Sequence, residues 1–582
     1  MDMKIYRVAL LLMLLTLAAC TADQEAEVEL PSPTVRSRPT ATPPPTATTY
    51  VTPTAEGSDD FAREGGSLPS EQNNLFSTSG SCSVCHTNLT DETGEDVSID
   101  TNWRASMMAN SARDPYWLAT VREEVESHPE LAETIEEQCS RCHMPMAHVT
   151  STDEGDPISM FGEGGFLNPD HDLHTFAMDG VSCTACHQIR EDNLGQASSY
   201  SGGFYIDTEL RAPDRVIFGP YTIDDRQADI MQGASGYSPE QGLHLSKSEL
   251  CATCHTLYTP YVDAAGNLAG EFPEQVPYFE WFYSDYRRTR TCQDCHMPDA
   301  GGGVKISITS EALRSPFAVH GSVGGNAYML ELMDTFGDEL GLTASSEDFE
   351  GSITRTLDLL QNDTAEITLE EVRQSGPRIF ANVVVENLAG HKFPTAYPSR
   401  RAWLRVVVRD ANDQIVFESG GFNSDGSIMG NANDEDPTML EQHYEAIVQP
   451  EQVQIYEAIL QDTENDVTTD LLKAASYRKD NRLLPSGFEK GAPYEDIAVR
   501  GDARADEDFL GGTDTVQYVV DVGSSQGPFT VTVELLYQSI GYRWVENFRG
   551  SDVEEAKQFL GYYDQVPNEP VIISSAEEEV GG

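Results

Sequence analysis

Cys82-Ser-Val-Cys85-His86, Cys139-Ser-Arg-Cys142-His143, Cys183-Thr-Ala-Cys186-His187, Cys251-Ala-Thr-Cys254-His255 and Cys292-Gln-Asp-Cys295-His296 repeat one pattern five times in a chain of 582 residues. Cys-x-x-Cys-His is the pattern of c-type haem attachment. Two thiols three residues apart reach the two vinyl groups of one porphyrin as thioethers, and the adjacent imidazole is then presented to the iron. A zinc site would need a second thiol pair or a histidine pair to close its tetrahedron, whereas every pair here carries its own histidine. A disulfide framework fails as well, because ten of the eleven cysteines fall within the five pairs. The sequence therefore predicts five covalently attached haem c groups. Their proximal ligands are His86, His143, His187, His255 and His296.

The eleventh cysteine, Cys20, has its own context. Lys4 and Arg7 precede an apolar run from Val8 to Leu15, and Leu17-Ala18-Ala19-Cys20 matches a lipoprotein cleavage box. Residues 1–19 read as a signal peptide and Cys20 as the lipidated N-terminus, attached stably if it carries more than one acyl chain. The apolar run ending at Ala19 is too short to span a bilayer. Residues 20–66 turn to Pro, Thr, Ser and acidic side chains, as in Pro31-Ser-Pro33, and read as an extended tether. These segments predict an extracytoplasmic, lipid-anchored protein, facing the periplasm or the cell surface. Lys and Arg total 37 against 96 Asp and Glu, a net charge of -59, which repels nucleic acid and favours cationic partners or a salty medium.

Residues 67–362 read as the haem domain. Unequal gaps between motifs exclude a strict tandem repeat, and five haems in so little chain predict short helices joined by long loops. A helical pattern runs from Tyr116 to Glu137 with Pro129 starting a second helix inside it. Eight histidines lie outside the motifs. His148, His174, His244 and His320 stand close to motifs or glycine-rich turns and are candidate distal ligands; each could instead bind a propionate or solvent. His128, in an acidic stretch, and His443, beside Glu441 and Glu445, read as surface residues.

The chain resembles a group of uncharacterised bacterial multihaem c-type lipoprotein cytochromes, loosely related to the hydroxylamine-oxidoreductase-type multihaem cytochromes. The resemblance rests on Met107-Met-Ala-Asn-Ser-Ala-Arg-Asp-Pro-Tyr-Trp117, Met178-Asp-Gly-Val-Ser-Cys183, Ser248-Glu-Leu-Cys-Ala-Thr-Cys-His255 and Gly390-His-Lys-Phe-Pro-Thr395. In that wider group a W-x-x-S-x-H segment supplies a histidine ligand, and this chain has Met108 at that place. The departure implies a His/Met haem or an open one, with a core methionine as the rival role. Similarity to multihaem proteins with a G-H-x-x-P loop implies that His391 is an axial ligand donated from a second domain.

Residues 363–582 form that second domain. Arg378–Glu386, Ala402–Arg409, Ile415–Glu418 and the alternation from Phe529 to Leu535 are strand-like, predicting an antiparallel, immunoglobulin-like sandwich with an insertion at about 420–512. Helices are predicted over Gly325–Leu340, Phe349–Gln361 and Asp552–Tyr562, the last closing the chain. Arg400 and Arg401 are placed to pair with propionates. Asn431-Ala-Asn-Asp-Glu-Asp436 is an oxygen-rich run that could bind calcium.

The fold class is thus α+β, a helix-and-loop pentahaem domain followed by a sandwich. Electron relay to redox partner proteins or to an extracellular acceptor or donor needs no substrate pocket. The alternatives are an oxidoreductase of a small nitrogen or sulfur compound at an open-coordinate haem, and an adhesive surface protein; fold analogy alone does not decide chemistry. Met108, His148, His174, His244, His320 and His391 offer six distal candidates for five irons, so the sequence requires no open site.

Overall fold

Asp114 starts the first long helix. Its carboxylate accepts the Tyr116 and Trp117 amides at 2.9 and 3.2 Å, and Pro115 takes the first helical position, where no amide is needed. The helix runs Pro115–Ser127 and stops where Pro129 forces His128 out of helical geometry. After a single turn at Pro129–Leu131, the helix Ala132–His143 carries the second motif at its C-terminal end. This computed structural model describes residues 63–491 and 494–581. The signal peptide, Cys20 and nearly all of the tether lie outside the described residues.

Elsewhere in the motif-bearing region the helices are short, as expected. Six strands accompany them: β1 (Arg215–Gly219) parallel to β2 (Tyr237–Gln241), β3 (Leu257–Val262) antiparallel to β4 (Leu268–Gln275), and β5 (Val304–Lys305) antiparallel to β6 (Leu313–Arg314). Two helices close the region, Ala327–Thr335 and Ser346–Asn362. The second begins with a reciprocal cap, in which Ser345 takes the Asp348 amide and the Asp348 carboxylate takes the Ser345 amide.

Strands then take over: β7 (Ala365–Ser375), β8 (Arg378–Asn387), β9 (Arg401–Arg409), β10 (Ile415–Ser419), β11 (Ala446–Ile447), β12 (Ile455–Gln461), β13 (Val467–Thr468), β14 (Ser476–Asp480), β15 (Thr513–Asp521), β16 (Phe529–Gln538) and β17 (Val571–Val580). One sheet has the order β11-β15-β8-β7. The other runs β13-β12-β9-β16-β17, with β10 on β9 and β14 on β12. Val383 and Val385 of β8, Val516 of β15, Val406 and Val408 of β9, and Val531 and Val533 of β16 are all buried in one apolar cluster. Strand alternation has turned one face of each sheet toward the other, giving a sandwich. The chain is α+β.

The structure differs from the sequence expectation in three places. β11 pairs with β15 in parallel, Ala446 opposite Gln517, so the sandwich is not purely antiparallel. Strands β11 to β14, within the 420–512 segment, join both sheets rather than standing apart. The helix Glu554–Tyr563 does not close the chain, because β17 follows it and pairs along β16. Its Glu577-Glu578-Glu579 run hides the alternation, and on an edge strand such charges also discourage pairing with other molecules. Among the described residues no helix is long and apolar enough to cross a membrane.

Candidate metal centres

Each motif folds as a helical turn. The His86, His187 and His255 amides donate to the carbonyls of Cys82, Cys183 and Cys251 at 3.1, 2.9 and 2.9 Å, and the second and fifth motifs lie in the helices Ala132–His143 and Cys292–His296. Positions i, i+3 and i+4 share one helix face, so both thiols and the imidazole point the same way. In the fifth motif the spacer residue Asp294 also completes a capping box with Thr291. None of the ten motif cysteines is in a disulfide.

Four of the five motif imidazoles are held in one tautomer. Nδ1 of His86, His143, His187 and His296 donates to the backbone carbonyls of Ile306, Ser111, Phe218 and Val323 at 2.6, 2.9, 2.7 and 2.6 Å. A neutral ring that donates from Nδ1 leaves its Nε2 lone pair free for a metal. His320 and His391 follow the same rule, with Nδ1 on the carbonyls of Ala318 and Lys392, each at 2.9 Å. Burial pushes His143, His255 and His320 down to about 4, which keeps them uncharged at neutral pH.

Two pairs of these rings face each other. His187 and His320 have ring centres 6.4 Å apart and planes 16° from parallel; His296 and His391 stand at 6.1 Å and 8°. A metal–imidazole bond of about 2 Å on each side would put two axial ring centres about 6 Å apart. Each pair is therefore spaced to grip one ion between Nε2 atoms.

All five motif histidines, nine of the ten motif cysteines, His320, His391 and Met108 line one mainly apolar cavity of about 1620 Å³. Protein interiors are close-packed, and small-molecule pockets measure roughly 300–1,000 Å³. A space this large, walled by thiols and neutral imidazoles, fits flat apolar groups fastened at its edges. The residues present thus match what haem c requires.

The other candidate ligands stand elsewhere. His148 is turned away beside Ser140 Oγ at 3.0 Å, round the helix from Cys139, Cys142 and His143. His174 is half-buried, with Nδ1 on the Phe166 carbonyl at 2.9 Å. His244 is buried, and its Nε2 donates to the Ile189 carbonyl at 2.8 Å. None of the three is on the cavity wall. Met108 is, and its carbonyl accepts the Val181 amide just before the third motif. Seven imidazoles line the cavity among the described residues, so His86, His143 and His255 have no histidine facing them there. Trp117 lies flat on His143, with ring centres 4.0 Å apart and planes at 1°.

The motifs approach one another through their cysteines. Cys82 lies near Cys183, Cys142 near Cys254, Cys251 near Cys292, and Cys186 near Cys254. Hydrogen bonds run beside these approaches: the Ser79 amide to the Asp179 carboxylate, the Gly202 amide to the Thr253 carbonyl next to Cys142, and the Cys292 amide to the Ser248 hydroxyl. The first, third, fourth and fifth motifs thus follow one another in space, with the second set against the fourth. The spacer residues Thr184, Ala185, Ala252 and Thr253 of the third and fourth motifs are buried, whereas Val84 of the first is 66% exposed and Asp294 of the fifth is exposed.

Several polar expectations are corrected. Arg401 does not reach the cavity, because it forms a buried pair with Asp434 at 2.8 and 3.0 Å. That pairing, with the Ile428 amide on the same carboxylate, engages Asp434, and one oxygen of Asp436 accepts from Thr438. Arg400 does line the cavity. His443 is buried rather than superficial. Its Nδ1 accepts from Gln454 and Asn481 at 2.8 and 3.0 Å, and its Nε2 donates to Asp506 at 3.1 Å, so both ring nitrogens are used. His128 is buried too, near Asp470 at 3.6 Å.

No family model matches the chain, and no curated protein matches it. Among solved structures it is similar to a penta-heme cytochrome c552 from Thermochromatium tepidum, with 16% identity over 83% of this chain and 95% of that one and a TM-score of 0.46. So loose an overlap carries neither fold nor chemistry across. The functional reading stands on this chain's own motifs and geometry.

Proposed function

We propose that this chain is a pentahaem c-type cytochrome that transfers electrons, anchored outside the cytoplasm through lipid on Cys20. The observation that carries the reading is the gathering of five Cys-x-x-Cys-His turns round one cavity, with two imidazole pairs set at axial spacing. Haem c bound there supplies one-electron exchange at iron. The chain's own residues do the rest. Cys82, Cys85, Cys139, Cys142, Cys183, Cys186, Cys251, Cys254, Cys292 and Cys295 would fasten the groups, backbone carbonyls behind His86, His143, His187 and His296 hold those four rings in the ligating tautomer, and the apolar wall excludes water. The order of motifs in space supports a route from the first through the third and fourth to the fifth, with its two ends at the surface and the second motif as a side branch. Redox proteins or an extracellular donor or acceptor would meet those ends.

Intact-mass measurement of the mature protein together with a pyridine haemochrome assay tests this reading. Five porphyrin increments per chain are expected, and a colourless preparation without them from a host competent in haem attachment overturns it. Acylation of Cys20 is checked in the same spectrum.

A second reading is favoured by one observation, that His86, His143 and His255 face no histidine across the cavity. Met108 could serve one of them; a remaining open position would make the protein an oxidoreductase of a small nitrogen or sulfur compound. Low-temperature electron spin resonance of the oxidised protein separates the two. Five low-spin signals rule out the oxidoreductase, whereas a high-spin signal that responds to nitrite or hydroxylamine favours it over the relay. Met108→Ala should perturb a single signal.

A further inference from the structure

The His391 loop is tied down by charges that water does not reach. Glu280, in the helix Pro277–Phe282 shortly before the fifth motif, accepts the Lys392 amide at 3.2 Å and the Thr395 hydroxyl at 2.5 Å on Oε2. Its Oε1 lies 3.0 Å from Arg482 Nη1, an ion-pair contact without hydrogen-bond alignment. Arg482 in turn grips Asp480 with Nε and Nη2 at 2.9 and 2.8 Å, and Asp480 takes Lys392 Nζ at 2.6 Å. Two cations and two anions close a neutral quartet in which the Lys392, Asp480 and Glu280 side chains are 0% exposed and that of Arg482 is 6% exposed.

We propose that Glu280, Lys392, Asp480 and Arg482 are positioning residues, whose task is to hold His391 of the sandwich opposite His296 of the fifth motif. The inference rests on the reading of His391 as an axial ligand. Three features point to position rather than general stability. Buried ion pairs contribute little net stability compared with apolar groups of the same size, and their attested use is to specify one arrangement. The quartet joins the two regions, with Glu280 on the motif side and the other three on the sandwich. It also acts on the backbone next to the ligand, since the Lys392 amide sits on Glu280 while the Lys392 carbonyl receives His391 Nδ1. The loop has little other freedom. Asn387 holds the His391 carbonyl at 2.9 Å, Phe393 and Leu483 exchange both backbone bonds, and a Cβ at Gly390 would stand 3.4 Å from Trp281 and Tyr286.

The test uses the mature, haem-loaded protein and low-temperature spin resonance, counting low-spin signals with and without added imidazole. His391→Gly should lose one signal, and imidazole should restore it; no loss means that His391 is not a ligand, and the proposal falls with that reading. Glu280→Gln and Thr395→Val should leave four signals unchanged and broaden the fifth or convert part of it to high spin, again restored by imidazole. If His391→Gly loses its signal while both of these variants keep five sharp ones, the quartet does not position the ligand and the proposal is overturned. Should Glu280→Gln fail to fold, the neutral double replacement Lys392→Met with Asp480→Asn decides in its place: a broadened fifth signal supports the proposal and five sharp ones overturn it.

Discussion

The motif-bearing region and the sandwich reach compactness by opposite means. In the sandwich, two sheets bring Val383, Leu404, Val406, Val516, Val531 and Val533 together in one buried cluster. The motif-bearing region instead surrounds a cavity of about 1620 Å³; it shares one buried cluster with the second region, where Tyr116, Phe272 and Phe349 meet Leu460, Trp544 and Phe559, and its other apolar residues form smaller clusters, such as Leu75 with Phe76 and Ile189, or Leu89 with Val97 and Phe317. Hydrophobic stabilisation follows apolar area removed from water, so the sandwich carries its own and the other region depends on what fills the cavity. The difference explains why one region has long strands and the other has short turns and loops. Chain that wraps a set of flat groups is shaped by their outline more than by its own periodicity.

Four measurements would break or sharpen that contrast. The largest effect is expected from withholding the cofactor. Chain made without haem attachment should lose amide protection across residues 80–320 while β8, β9, β15 and β16 stay protected, which hydrogen exchange reads directly. Uniform loss or uniform retention would erase the distinction between the regions. Next comes Asp434→Asn, which strands Arg401 in the sandwich interior. A buried charge left without its partner costs about 3–5 kcal/mol, to be seen in denaturant unfolding with the haem spectrum of the folded protein unchanged.

Glu274 of β4 sharpens the contrast through pH. It is buried on the cavity wall, and desolvation pushes its carboxyl up from 4.5 to about 8. A carboxyl raised by folding binds its proton more tightly in the folded state, so its contribution is complete below pH 4.5 and declines as pH rises toward about 8. Glu274→Gln should flatten that part of the stability profile relative to the unmodified chain, as thermal unfolding across the range would register. The smallest effect belongs to Ser345→Ala, which removes one side of the helix cap at the join between the regions. Loss of such a cap costs about 1 kcal/mol, and chemical denaturation should show it without spectral change.

The legible part of the molecule was what rests on local chemistry. Each of the five motifs folds as its spacing predicts, Pro129 marks a helix start, and the alternation of β8, β9 and β16 announced a sheet. His320 and His391 did find a place opposite motif histidines. His148, His174 and His244 lie off the cavity wall, and nearness in sequence says nothing of which way a ring turns round a helix. Arg401 and His443 were misread for a related reason: their partners, Asp434 and Asp506, are 33 and 63 residues distant, and a buried polar residue looks like an exposed one until its partner is known. The same holds for Glu280 and Arg482. β17 was missed because its acidic outer positions mask a pattern that only pairing with β16 reveals.

The place of β17 also bears on timing. Val571–Val580 is synthesised after every other described element, yet it pairs along β16 and accepts the Ile367 amide of β7 on the Ser574 hydroxyl. Because domains generally fold as units as they are made, the sheets cannot settle until that last ribbon is available. The five pentapeptides precede it by hundreds of residues. Assembly thus has a built-in sequence, in which the motif turns are made first and the sheet beside the His391 loop is completed only by the last strand.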